Sequence, residues 1–371
     1  MDRSRKTQRR EVLAKGLAGG VGAVSLLAAP NLASAQARIV RMVSVWGRGF
    51  PVVGASAQRL AERLTAITDG ALRVELFAAG ELGSPGEAHA ITGAGDAEMY
   101  HGVEYFWSAK NPAFHLFSGV PYGLTGLELL GWLNGPGAAH WEAIQAPFNI
   151  KPFSAGMLTS GLGLWSNQAL ERAEDFEGLT IRSSGLSRAV LKSLGADARP
   201  VSFSRLASAL SLGALDATEW FGPWADPDYE ITNAARYIYG PPVFRPALGI
   251  SVGLNLPFWF SLSDSHRLAF RSVFAAESQN LLLESHQQNA RWLAQLKDDG
   301  KSGKIREFTP EVLTVLGRQS GLVLRETMAR SEQATAILND FLSFRSDSYR
   351  EVLNGSSGFM KSRELPFSFG R

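Results

Sequence analysis

Between residues 39 and 76 the apolar spacing changes twice, and that change restricts the chain more than any other feature. Residues 39–45 form a run rich in β-branched side chains that suits a buried strand. Ala57, Leu60, Ala61, Leu64 and Ile67 then recur at helical spacing, with Arg59, Glu62 and Arg63 between them. Gly70 stands where a helix C-terminus needs a left-handed residue. Leu72, Val74 and Leu76 alternate with Arg73 and Glu75, as in a half-buried strand. Strand, helix and strand in succession demand parallel neighbours joined by a right-handed crossover. The pattern returns with a strand over 179–182, a helix over 184–194 closed by Gly195, a helix over 204–212 ended by Gly213, and a strand over 216–220. A chain of 371 residues exceeds the ~250–300 over which one core keeps growing, so the expected class is α/β in two lobes. The last third is different. Residues 263–297 lack Pro and Gly and predict one long helix. Thr309-Pro310 reads as an N-cap and first helical residue opening a second long helical stretch to about Leu353, with a loose tail over 355–371.

The first 35 residues carry a separate message. Basic side chains crowd Arg3 to Lys15, a Gly/Ala/Leu stretch follows from Leu17 to Ala29, and Ala33-Ser34-Ala35 supplies small residues for cleavage. Within them, Gln8-Arg9-Arg10-Glu11-Val12-Leu13-Ala14-Lys15 resembles the twin-arginine export signal, which implies a periplasmic destination. The apolar stretch falls short of the ~20 residues that span a bilayer. Removing residues 1–35 takes six of the 37 Lys/Arg and two of the 35 Asp/Glu, turning a formal charge of +2 into −2. No basic patch then remains to favour nucleic acid.

Chemistry is restricted too. The chain has no cysteine, which excludes disulfides, thiolate catalysis and sulfur-ligated metals. Gly249-Ile250-Ser251-Val252-Gly253 fits the nucleophile-elbow pattern, with Asp264 and His266 following in hydrolase order. An elbow needs a helix directly after the serine, however, whereas residues 254–260 contain Pro257 and read as continuing strand, then turn. A serine hydrolase using Ser251 is therefore the alternative rather than the expectation, and no catalytic residue is assigned. The six histidines show no metal-binding spacing and read as surface or satisfied core residues. The Gly-rich stretch from Gly16 to Gly22 lies inside the export signal.

Four segments carry a family likeness: Asn111-Pro112-Ala113-Phe114, Val120-Pro121-Tyr122-Gly123-Leu124-Thr125, Ile181-Arg182-Ser183-Ser184-Gly185-Leu186 and Leu215-Asp216-Ala217-Thr218-Glu219-Trp220-Phe221-Gly222-Pro223. In this order and spacing, from about Arg38 to Leu353, they resemble the solute-binding proteins of tripartite ATP-independent periplasmic (TRAP) transporters, in the branch for 2-oxo acids and related monocarboxylates. The resemblance implies a two-lobed α/β solute-binding fold with hinge strands and long C-terminal helices. Lobe I would comprise residues 36–160 with 246–285, lobe II 161–245 with 286–330, and residues 331–371 a C-terminal helix and tail. It implies Arg182 as the residue gripping the substrate carboxylate, a match a guanidinium fork makes and lysine does not. It implies Glu219 and the main-chain carbonyl of Trp220 as ligands to a sodium or calcium ion bridging the substrate, with Tyr105 and Asn255 as further substrate contacts. It also implies a membrane permease as partner and a homodimer formed through the C-terminal helix near residues 330–353.

Three positions depart from the family pattern. Gly161 stands where relatives place a glutamine that ligates the metal. Phe244-Arg245-Pro246 stands where they often show His-Glu-Pro, and Arg205 stands near another usual glutamate. Either Arg205 or Arg245 could supply the positive charge of the cation. Trp46, Phe50, Tyr105, Phe106 and Trp107 lie in pocket-matching segments and read equally well as core. A third reading keeps the fold and makes the chain the ligand sensor of a signalling partner.

Overall fold

The computed structural model describes residues 37–226, 228, 230–363 and 365; the expected export signal lies outside them. Eleven strands build two sheets: Arg38–Ser44 (β1), Leu72–Phe77 (β2), Met99–Gly102 (β3), Ile150–Thr159 (β4), Leu164–Ser166 (β5), Thr180–Arg182 (β6), Asp197–Arg199 (β7), Ala217–Glu219 (β8), Tyr237–Gly240 (β9), Ala247–Asn255 (β10) and Ile305–Glu307 (β11). The first sheet has the order β2-β1-β3-β10-β4 and the second β11-β9-β5-β8-β6-β7. β1 runs parallel to β2 with Val40 opposite Val74, as the opening pattern requires. Helix Val53–Ile67 makes the crossover and buries Ala57, Leu60, Ala61 and Leu64 against Val40 and Met42. The strands expected around 181 and 217 pair in parallel as β6 and β8. The fold is α/β, as the sequence implies.

The chain passes from the first sheet to the second between β4 and β5 and returns between β9 and β10. Helix Asp264–Asp298 crosses the same boundary as a third connection. Ser263 caps it, accepting from the His266 amide at 3.2 Å, and no Gly or Pro interrupts it. Its first half lies on the first sheet, where Ser278 meets Ser154 at 3.0 Å. Further along, the Asn289 amide donates to the Thr159 carbonyl at 2.8 Å and accepts from the Trp224 amide at 2.9 Å. One side chain thus ties the end of a first-sheet strand to the second-sheet half.

Two expectations for the C-terminal third need correction. The helical stretch after Pro310 divides into Pro310–Met328 and Glu332–Val352, because Ser331 adopts extended backbone and its hydroxyl accepts from the Ala334 amide, capping a new helix. The break frees the second helix to dock on the first half, where Phe341 meets Trp132 edge-on at 5.1 Å and Asp340 accepts the Trp132 indole N–H at 2.8 Å. The expected loose tail is instead helical as far as Ser362. In addition, Pro257 opens a short helix, Leu256–Ser261, rather than a turn.

Glu277 fastens the long helix to the crossover helix. Its carboxylate, fully buried, accepts from Ser56 Oγ at 2.8 Å, Arg59 Nε at 3.1 Å and Arg63 Nη1 at 3.0 Å. Removing one side of a buried ionic cluster strands the other. Glu277→Ala should therefore cost about 3 kcal/mol of stability, read as a melting temperature lowered by several degrees in differential scanning calorimetry.

Candidate functional site

The expected site residues converge where the two halves meet. β6 ends at Arg182 beside β8, and β8 ends at Glu219, so two consecutive strand ends of one sheet place a guanidinium and a carboxylate side by side. Arg182 Nη1 donates to the Glu219 main-chain carbonyl at 2.7 Å, and the guanidinium carbon lies 5.5 Å from the Trp220 ring centroid. The Nε of Arg182 is buried and has no partner. Burial pushes the pKa of Arg182 down, and nearby Arg245 adds to that, against the pull of Glu219 and Tyr105. Yet Arg182 keeps some accessible surface.

Glu219 is 3% exposed. Ser183 Oγ donates to its carboxylate at 2.7 Å, Ser187 Oγ lies within 3.2 Å, and Arg245 Nη2 lies 3.2 Å away. The same Arg245 nitrogen reaches the Ser184 carbonyl at 3.2 Å and its hydroxyl at 3.0 Å. Across the boundary the Tyr105 ring sits under Arg245, its centroid 5.1 Å away, and the Tyr105 hydroxyl approaches Ser184 Oγ at 3.4 Å. Gly185, at a φ of +60° that side chains rarely adopt, makes the turn beside them; a Cβ there would meet Tyr105 at an ordinary 3.7 Å. Burial works against the charge of Arg245, but Glu219 and Tyr105 outweigh it and hold the pKa above the usual arginine value. Arg245 thus pairs with the Glu219 carboxylate and Arg182 with the main-chain carbonyl of the same residue, and among the described residues no second acid pairs with either. The cluster lacks one negative charge.

Aromatic side chains close the boundary around it. Trp46 and Phe50 from the first half meet Phe221 at 6.1 and 6.0 Å, and Phe50 meets Phe203 at 5.2 Å. Trp220 stacks on Phe203 at 5.0 Å and donates its indole N–H to the Ala225 carbonyl at 2.9 Å. Phe106 stacks on Tyr105, whereas Trp107 turns inward onto Tyr100 and His89 and belongs to the core. The indole nitrogen of Trp46, whose ring meets Phe221, and the hydroxyl of Ser160, whose Cα lies beside Gly222, are buried without partners.

The remaining expected residues lie elsewhere. Asn255 is the last residue of β10, at the end opposite Ala247, where it accepts from the Phe258 amide at 3.1 Å and donates to the Thr92 carbonyl at 3.0 Å, a capping role. Arg205 is exposed, outside the cluster. Gly161, between β4 and β5, faces Asn289 and Pro223, where a Cβ would find ordinary contacts at 3.5 and 3.6 Å. Ser251 is fully buried mid-strand and donates to the Gly102 carbonyl at 3.2 Å, and β10 continues four residues past it, so the hydrolase elbow does not form. The histidine expectation fails at His101. This residue, next to last in β3, is buried with both ring nitrogens unpartnered, and burial pushes its pKa down to about 3.

Behind Tyr105 lies a buried polar chain. Tyr100 donates to Glu104 at 2.7 Å, Gln145 donates to both, and the Gln145 carbonyl meets His89 Nε2 at 2.8 Å. The Lys110 ammonium can only donate, so His89 Nδ1 accepts at 2.8 Å and the ring proton sits on Nε2. Burial pushes Glu104 up to about 7 despite its hydrogen bonds.

The chain belongs to the bacterial extracellular solute-binding proteins of family 7, the DctP family, whose profile matches residues 42–331. A monocarboxylate 2-oxoacid-binding periplasmic protein of Nostoc sp. is 27% identical over 344 residues, covering 91% of this chain and 94% of the relative. Two solved TRAP solute-binding proteins share the fold. One, from Colwellia psychrerythraea with bound calcium and pyruvate, aligns with a TM-score of 0.83 at 22% identity over 88% of this chain and all of that one. The other, a Bordetella bronchiseptica dimer with calcium and picolinate in one active site, aligns at 0.82 and 23% identity, covering 88% of this chain and 97% of that one.

Those neighbours raise the question of a cation here, and the donor set does not fit one. One Glu219 oxygen already accepts from Ser183, the other accepts from Ser187 and faces Arg245, Gly161 offers no side-chain oxygen, and among the described residues no group of three or more His, Cys, Asp or Glu could hold a metal. A divalent ion ~4 Å from the Arg245 guanidinium would be repelled by about 8 kcal/mol at an effective dielectric of ~20.

Glu104 also yields a pH test. Its folded pKa lies above the ordinary 4.5, so its contribution is complete below that value and is lost as pH rises toward about 7. Glu104→Gln should gain on the parent by up to about 1.4 kcal/mol per pH unit between pH 5 and 7 and level off above, in denaturant titrations at fixed pH.

Proposed function

We propose that the chain is the periplasmic receptor of a TRAP transporter, capturing a small monocarboxylate, a 2-oxo or 2-hydroxy acid, between two lobes and presenting it to a membrane permease. One observation carries this reading: Arg182 has a buried Nε–H without a partner in a cluster one negative charge short of balance. A carboxylate supplies both the acceptor and the charge. A neutral ligand would leave the second guanidinium uncompensated in a dry site.

The Trp46 indole N–H beside Phe221 and the Ser160 hydroxyl beside Gly222 remain as further donors without partners. The family and the Nostoc relative support the periplasm and the 2-oxo acid class. The lobes would be residues 36–160 with 246–285 and 161–245 with 286–330, turning about the two strand crossings and the long helix. Closure needs no chemistry, because the ligand only has to touch both lobes and so favour the closed population. The twin-arginine segment would bring the folded chain to the periplasm, with cleavage after Ala35.

Arg182→Gln should raise the dissociation constant for the acids that bind the parent, sought among pyruvate, 2-oxobutyrate and lactate, by about 100-fold or more in isothermal titration calorimetry, and Arg182→Lys by about tenfold, since an ammonium cannot make the forked pair. Unchanged affinity in both variants would remove the carboxylate assignment.

A dimer formed through the C-terminal helix completes the proposal. Tyr349, Leu353, Phe359 and Met360 are exposed along its outer end, 47 to 66% accessible. Deleting residues 346–371 should shift the protein from dimer to monomer in light scattering, with acid binding retained.

A further inference from the structure

Arg245 brings a second positive charge to this cluster. Its guanidinium lies against the carboxylate of Glu219, the oxygens of Ser184 and the ring of Tyr105, and it is buried. Its position in the chain explains how it gets there. It sits in the segment that returns from β9 to β10, two residues before Ala247, so the second strand crossing delivers it to the boundary. We infer that Arg245 is a built-in cation: it supplies from within the chain the positive charge that faces the bound acid, so that capture needs no metal ion and Arg245 helps to set specificity.

This rests on the carboxylate reading of the site and deepens it. Three features point the same way. The residue at 161 brings no side-chain oxygen, the residue at 245 brings a fixed positive charge, and Glu219, the carboxylate of the cluster, is engaged by that charge. A guanidinium also selects differently from a metal. It donates directed N–H bonds and cannot chelate, so a carbonyl or a hydroxyl next to the ligand carboxylate serves equally as acceptor. The ligand class should thus be 2-oxo and 2-hydroxy acids with little preference between them. Burial opposes the charge of Arg245, but Glu219 and Tyr105 more than restore it, so the residue stays cationic wherever the protein is folded.

The test has two arms. In the first, the protein is dialysed against EDTA in potassium buffer, then titrated with calcium chloride alone and analysed for bound metal. The inference expects no stoichiometric calcium, and one tightly held ion per chain overturns it. In the second, pyruvate and lactate are titrated by calorimetry in EDTA, in calcium and in sodium. Dissociation constants should agree within about twofold across the three buffers, whereas Arg245→Gln should weaken binding by about tenfold or more and Arg245→Lys by less. Binding lost in EDTA and restored by calcium or sodium, or an Arg245→Gln protein that melts normally and binds as the parent does, overturns the inference. Should neither acid bind under any condition, the carboxylate reading fails by itself and the calcium arm still decides for or against a metal at this cluster.

Discussion

Two guanidiniums gathered on Glu219, Arg245 at its carboxylate and Arg182 at its main-chain carbonyl, form the interaction on which the rest of this molecule depends. Ions taken from water are tolerated only when their partners are close and well oriented, and the charge of Arg182, Arg245 and Glu219 is held in part by the hydroxyls and carbonyls of Ser183, Ser184 and Glu219, while Arg182 Nε is left without a partner. Ser183, Ser184 and Ser187 contribute hydroxyls from the start of one helix, and Tyr105 contributes a ring from the opposite half. The arrangement is unfinished as it stands. An organic anion finishes it, and that is why the site reads as a receptor rather than a structural ion cluster.

Such a site needs rigid supports on both sides of a boundary that can open. The aromatic contacts across it, Trp46 and Phe50 against Phe203 and Phe221, bury area without interlocking backbone, so they can part and re-form. The supports themselves are locked. Glu277 ties the long helix to the crossover helix with two arginines and a serine, and Asn289 ties the same helix to both Thr159 and Trp224. Where the first half must hold Tyr105 in place, it does so with the buried chain from Lys110 through His89 and Gln145 to Glu104, one residue before it.

Much of this was legible along the chain. The change of period between Val40 and Leu76 announced the parallel strands and their crossover, because side-chain direction follows the local backbone and nothing more distant. The motif around Arg182 and the one around Glu219 pointed to the two strand ends that form the cluster. Other features left no local trace. The helix break at Ser331 contains neither Gly nor Pro, and a serine in a polar stretch looks the same whether it caps a helix or decorates one. Asn255 sits at the end of a strand and resembles a site residue in sequence, yet its amide caps the next helix. His101 carries no spacing signal, since a lone histidine becomes conspicuous only when its neighbours deny it hydrogen bonds.

The sequence by itself determined the class of fold, the strand that ends in Arg182, the lack of any thiol chemistry and the substitution of glycine and arginine at positions 161 and 245. Only the tertiary structure decided which arginine reaches the carboxylate: Arg245 does and Arg205 does not. The physical reason is distance. Periodicity and motif are properties of neighbours along the chain, whereas charge balance is a property of neighbours in space, and residues 182, 219 and 245 become neighbours only after two sheets have formed and the chain has crossed between them twice.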